Sequence, residues 1–111
     1  MKKKILITGI TGFVGSHMAD YLISLDQEFE IYGLKRWHLS KLDFIYPIID
    51  RITLEDCDIT DPVSTQKIIS KIDPDLIFHC AAESFVSPSW DHPHRYMSVN
   101  YQGTVNILEA L

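Results

Sequence analysis

The sequence predicts an α/β fold, a doubly wound parallel sheet whose four strands lie in the order 3-2-1-4. Three observations predict it. Short apolar runs alternate with stretches of helical periodicity in the order β-α-β-β-α-β-α, the pattern of a parallel sheet with helices on both faces. Right-handed crossovers then set the strand order. Three of the chain's five glycines, Gly9, Gly12 and Gly15, stand between the first apolar run and the first amphipathic stretch. No linker or internal repeat interrupts the 111 residues, so residues 1–111 read as one domain.

Each element has a local reason. Lys4 to Thr8 reads as a buried strand. Phe13, Val14, Met18, Leu22 and Leu25 recur at helical spacing and predict a helix to about Leu25. Phe29 to Leu34 reads as a second strand, and Arg36 to Asp50 as irregular chain with a short helix near Leu39 to Ile45. A third strand starts at Ile52 to Leu54. Asp61-Pro62 marks a helix start, because Asp caps free N–H groups and Pro fits the first helical position. Val63, Ile68, Ile69 and Ile72 share a face of that helix, and Asp73-Pro74-Asp75 stops it. Leu76 to His79 is a fourth strand. A loop rich in Ser and Pro, Ala81 to Trp90, follows it. Asp91 with Pro93 opens a last helix carrying Val99, Ile107, Leu108 and Leu111.

Composition narrows the function. The net charge is −5, and the one basic block, Lys2-Lys3-Lys4, is short. That argues against a nucleic-acid surface. No apolar run has the length of a signal peptide core or a membrane span. Cys57 and Cys80 are too few for a disulfide framework or a zinc site. A cytoplasmic protein with reduced thiols and no membrane partner is the expectation.

The glycines carry the chemistry. They form the turn between a strand ending at Thr8 and a helix starting near Phe13. A helix N-terminus presents unpaired N–H groups and partial positive charge. A pyrophosphate fits there if the backbone can approach it closely. Gly9 would make the tight turn, Gly12 would admit the phosphates, and Gly15 would let the helix pack against the strand. The spacing is not Gly-x-Gly-x-x-Gly, and no Gly-Lys-Ser/Thr follows, so a nucleoside triphosphatase P-loop is excluded.

Thr8-Gly9-Ile10-Thr11-Gly12-Phe13-Val14-Gly15 resembles the T-G-x-x-G-x-x-G fingerprint of the extended short-chain dehydrogenase/reductases, which have a Rossmann-type fold. Asp58-Ile59-Thr60-Asp61 is similar to that family's adenine-contacting segment. His79-Cys80-Ala81-Ala82 is similar to its H-x-A-A turn beside the cofactor, and Val99-Asn100 with Gly103-Thr104 to its V-N-x-x-G-T motif. Within the family, Tyr32 to Trp37, Ala81 to Val86 and Ser89-Trp90 look most like GDP-mannose 4,6-dehydratases, although Phe85 stands where many relatives have His. The resemblance implies cofactor contacts from Gly9, Thr11, Gly12, Phe13, Val14, Gly15, Asp58, Ile59, Cys80, Ala81, Ala82 and Asn100. It also implies a nucleotide-sugar substrate, GDP-mannose first, and a homo-oligomer.

The family's reaction rests on a Tyr-x-x-x-Lys pair. None of the five tyrosines has Lys four residues on, so the chain is expected to be the N-terminal portion of a longer enzyme, stopping before the catalytic segment. For a complete relative the resemblance implies hydride removal from sugar C4, loss of water across C5–C6, and hydride return to C6. An epimerase or a 4-keto reductase is the alternative within the family. A dinucleotide-binding module without catalysis is the alternative outside it.

Other residues are weighed on their chemistry. Arg36 stands where the second strand ends, facing the adenosine ribose in dinucleotide folds, and an Arg there accommodates the extra phosphate of NADP. Lys35 would point the opposite way by strand alternation. Asp58 either meets the adenine amino group or builds the turn before Asp61. Ser84 is the expected substrate-side contact, with Ser87 near it. Glu83 has no partner acid, and Asn100 suits a backbone-holding role. His92 and His94 would diverge on a helix. His17, Trp37, Trp90 and Cys80 read as surface or packing residues.

Overall fold

The computed structural model describes residues 2–25, 28–36, 42–81, 94 and 97–111. Strand β1 (Lys3–Thr8) leads through the glycine turn into helix α1 (Phe13–Ser24). Strand β2 (Phe29–Lys35) follows, then a 3-10 helix (Tyr46–Arg51) and strand β3 (Thr53–Asp56). Helix α2 (Pro62–Ile72) leads to strand β4 (Leu76–His79). A π-helical stretch (Met97–Gln102) then runs into helix α3 (Gly103–Ala110). The sheet is parallel with strand order β3-β2-β1-β4, as the crossover argument predicts.

The double winding shows in β1. Ile5 and Ile7 face one cluster with Ala19 and Leu22 of α1, together with Ile31 and Ile45. Leu6 faces the other, with Ile69 and Ile72 of α2 and Ile107 of α3. Successive strand residues point to opposite faces, so both faces of β1 are apolar and both are covered.

Helix α2 is built as its sequence indicates. Asp61 Oδ1 accepts from Val63 N at 3.0 Å and Ser64 N at 3.3 Å, and Pro62 stands at the helix start. Asp73 ends the helix in the left-handed region (φ 51°), its N–H bonded to the Ile69 carbonyl.

Several expectations need correction. The buried face of α1 is Gly15, Ser16, Ala19 and Leu22, whereas Phe13, Val14 and Leu25 are exposed. The contact of Gly15 with the Gly9–Ile10 backbone fixes the rotation of the helix, so its first two residues turn outward. That contact is with the turn, not with the strand proper. On α2, Thr65 takes the inward place and Val63 is exposed. Leu108 and Leu111 are exposed, while Val99 and Ile107 are buried. Residues 43–45 form a turn, and helical geometry begins only at Tyr46, with Pro47 in the first turn of the 3-10 helix. Strand β3 runs on to Asp56, in register with Tyr32 to Lys35. Residues 39–41 and the Asp91/Pro93 helix start lie outside the described residues.

Candidate functional site

The carboxyl ends of the strands and the glycine turn enclose a crevice. Its walls include Thr8, Gly9, Thr11 and Gly12 from the turn, Leu34, Lys35 and Arg36 from the end of β2, and Cys57, Asp58 and Ile59 from the end of β3. Cys80 and Ala81 after β4 and Val99 of the π-helical stretch complete it. This is the edge where open parallel sheets bind ligands.

The three glycines do different work. Gly9 adopts φ +67°, and a Cβ there would lie 2.7 Å from Ala81 N and from the Cys80 carbonyl carbon. It lets β1 and the exit of β4 approach while the chain reverses. A Cβ on Gly15 would overlap the Gly9 carbonyl oxygen. At Gly12 a Cβ would meet that oxygen at 3.3 Å and, among the described residues, nothing else within 4 Å. Gly12 is also the N-cap of α1, in extended conformation with no side chain to satisfy the helix, and no acidic residue stands in the first turn. The first-turn N–H groups, which a helix cannot pair internally, therefore open on the side that Gly12 leaves clear.

A hydroxyl–imidazole relay holds the floor. Thr8 and His79 are register partners on β1 and β4. Ala81 N donates to Thr8 Oγ1 at 3.1 Å, and Thr8 Oγ1 lies 2.6 Å from His79 Nδ1. Thr104 Oγ1 donates to the Asn100 carbonyl at 2.8 Å and lies 3.0 Å from His79 Nε2. The Thr104 proton is thus committed, so Nε2–H donates to Thr104 and Nδ1 accepts from Thr8, the neutral imidazole. Burial agrees, pushing the His79 pKa down. Asn106 fixes the opposite wall: its Nδ2 donates to the Ile59 carbonyl at 2.7 Å, and its Oδ1 accepts from Gln102.

At the outer end, Asp58 Oδ1 accepts from Thr60 N at 3.0 Å and Thr60 Oγ1 at 2.8 Å. Asp58 thus both lines the crevice and builds the turn before Asp61. Lys35 is ion-paired with Asp56, its register partner on β3. Lys35 and Arg36 both border the crevice, and Lys35 shares the face of β2 that carries Ile31, opposite Leu34.

The thiols are quiet. Burial raises the pKa of Cys57, opposed by hydrogen bonds from Ser64 and Thr65, and burial raises that of Cys80 as well. Both are free. They leave β3 and β4 at opposite edges of the sheet, three strand spacings or about 14 Å apart, beyond the ~7 Å Cα reach of a disulfide.

Of the residues expected to hold a cofactor, the crevice brings together Gly9, Thr11, Gly12, Arg36, Asp58, Ile59, Cys80 and Ala81. Phe13 and Val14 sit exposed on the first turn of α1, Gly15 is buried behind the turn, and Asn100 is exposed on the π-helical stretch. Ala82 and Ser84 lie outside the described residues, as do Trp37, Glu83, Phe85, Ser87, Trp90 and His92. The residue-by-residue reading missed Thr8, Leu34, Cys57 and Val99 as lining residues. Thr8 had a signal, a hydroxyl just after the apolar run Ile5 to Ile7. The other three are apolar and are placed only by topology. Among the described residues, no group of three His, Cys, Asp or Glu could hold a metal ion, and no helix is long and apolar enough to cross a membrane.

Fold and site together define a dinucleotide-type α/β domain of the short-chain dehydrogenase/reductase class. The chain belongs to the GDP-mannose 4,6 dehydratase family, whose model matches residues 6–111. It is 34% identical to a GDP-mannose 4,6-dehydratase of Vibrio cholerae, an alignment covering 100% of this chain and 32% of that protein. The chain thus spans about a third of the length of the curated relatives it matches. Among solved structures it is similar to the Thermotoga maritima UDP-glucose 4-epimerase with UDP-glucose. There the TM-score is 0.83 and the identity 28%, with 96% of this chain and 33% of that one covered. The Thermus thermophilus UDP-glucose 4-epimerase in complex with NAD gives a TM-score of 0.83 at 26% identity, again covering 96% and 33%.

Proposed function

We propose that this chain is the dinucleotide-holding portion of a nucleotide-sugar 4,6-dehydratase that uses NADP and acts on GDP-mannose. One observation carries the reading: the uncapped start of α1 opens onto the strand-end crevice at Gly12, the fingerprint glycine with the most room for a Cβ among the described residues. The residues present fit a dinucleotide, since among the described residues no side chain stands in the way of an anion there. The Vibrio cholerae relative supports the dehydratase reading, and the NAD complex of the Thermus thermophilus neighbour supports a dinucleotide cofactor.

The bound cofactor would supply hydride acceptance from the sugar and its return. This chain's residues bind and orient it. The first-turn N–H groups of α1, from Phe13 to Gly15, hold the pyrophosphate. Asp58 and Ile59 face the adenine. Arg36 meets the ribose 2′-phosphate, which it can grip with two parallel hydrogen bonds. The Thr8–His79–Thr104 relay fixes the exit of β4, along which the reactive end of the cofactor runs. The proton-transferring Tyr-x-x-x-Lys pair is not among these 111 residues.

The test is product analysis on the complete protein with GDP-mannose and NADP. The expected product is the 4-keto-6-deoxy sugar, lighter by one water. A product of unchanged mass would favour the epimerase reading, to which the solved neighbours lend weight. Calorimetry tests the cofactor: Arg36→Ala should weaken NADP by about tenfold or more and leave NAD nearly unchanged. Equal wild-type affinities for the two would remove Arg36 from the site.

A further inference from the structure

A second cation, Lys35, stands beside Arg36 at the crevice end of β2, and its charge is held in an ion pair. Its Nζ is bonded to Asp56 Oδ1. The pair is built in. Lys35 and Asp56 are register partners at the carboxyl ends of β2 and β3, on the same face, and the Lys35 carbonyl accepts from Cys57 N at 2.9 Å just beyond them. The Lys35 side chain is 20% exposed, whereas Asp56 is 55% exposed. The lysine is therefore the held partner, and the carboxylate stands toward solvent.

We propose that Asp56 sets the strength of the NADP preference by holding Lys35 away from the ribose 2′-phosphate. The inference rests on the NADP reading above and adds a determinant to it. A free ammonium at the end of β2 would attract a group carrying nearly two negative charges. Paired with a carboxylate, it presents a small dipole instead, and its field at a few ångströms largely cancels. The 2′-phosphate is then served by the Arg36 guanidinium while Lys35 stays on Asp56. The arrangement limits NADP affinity and so keeps the cofactor exchangeable. NAD lacks the phosphate and is indifferent to the pair.

The experiment is calorimetric titration of the protein with NADP and with NAD, in wild type, Asp56→Asn, Lys35→Met and the double variant, at low salt and in 0.5 M salt. Asp56→Asn should tighten NADP about fivefold at low salt, fading in high salt, and change NAD less than about twofold. In the Lys35→Met background the same Asp56 change should lose its effect, because no ammonium remains to release. Unchanged NADP affinity in Asp56→Asn overturns the proposal. So does an equal gain with and without Lys35, which would mean direct repulsion by the carboxylate. The wild-type ratio of NADP to NAD affinity tests the underlying reading separately. Circular dichroism confirms folding, and Asp56→Ser repeats the test if Asp56→Asn fails to fold.

Discussion

Gly12→Val separates binding from folding at the glycine turn. Gly12 has φ −85° and ψ −179°, extended backbone that a β-branched residue adopts readily. Among the described residues its Cβ would meet the Gly9 carbonyl oxygen, at 3.3 Å, a tight contact with backbone that must give by a few tenths of an ångström. The remaining cost is the loss of a good N-cap residue for a poor one, about 1 kcal/mol of stability. The cost in binding is larger. The two γ-methyls would stand in the open ground above the first turn of α1, where an anion must approach the N–H groups. Displacing it from two charge-assisted bonds removes about 3–6 kcal/mol, a loss of roughly a hundredfold or more in affinity. Calorimetry with NADP and NAD on a variant with a native-like melting curve is the assay. Gly15→Ala is the contrast, since its Cβ would overlap the Gly9 carbonyl oxygen and should cost the fold itself. A folded Gly12→Val protein with wild-type affinity would refute the phosphate cradle.

Two further outcomes follow from the walls of the crevice. His79 is held neutral, with its pKa below the ordinary value of 6.5, so the unfolded chain takes up its proton first as the pH falls. The stability due to His79 is complete above about pH 6.5 and declines as the pH drops toward the lowered folded value; denaturant melts at pH 7.5 and 5.5 should show a drop that is smaller in His79→Asn, and equal drops would sink the assignment. Asn106→Leu removes the 2.7 Å bond to the Ile59 carbonyl, leaving it, among the described residues, a 3.5 Å contact from Thr65; the expected loss is about 1–3 kcal/mol in urea melts, and a change below about 0.5 kcal/mol would show the bond to be dispensable.

What was legible in the sequence was what local chemistry decides. Asp61-Pro62 announced a capped helix because the cap bonds reach only two and three residues ahead. The glycine turn announced itself because strand, turn and helix are consecutive. The rotation of α1 was not legible. Phe13 and Val14 fit an apolar periodicity, but a contact from Gly15 back to the turn outweighs it. Equally hidden were the partners of His79, which stand 71 and 25 residues away, and the pairing of Lys35 with Asp56 across 21. Such pairs exist only once the register of the sheet is set. No reading of residue types along one strand yields them.

That dependence links the site to the fold in one direction. Thr8 and His79 meet because β1 pairs with β4, and Lys35 and Asp56 meet because β2 pairs with β3. Both pairs stand where their strands end, at the edge that faces the crevice. A one-residue slip in either pairing would turn every side chain of the slipped strand to the other face. It would separate the polar pair at the same time as it unpacked the apolar rows behind it. A slip of β1 would exchange Ile5 and Ile7 with Leu6 between two differently shaped apolar clusters, so packing fit opposes it. The packing that stabilises the sheet is therefore what aligns the crevice. A change in the β1 core such as Leu6→Ala, which is not among the crevice walls, should lower dinucleotide affinity to the degree that it loosens the pairing of β1 with its neighbours.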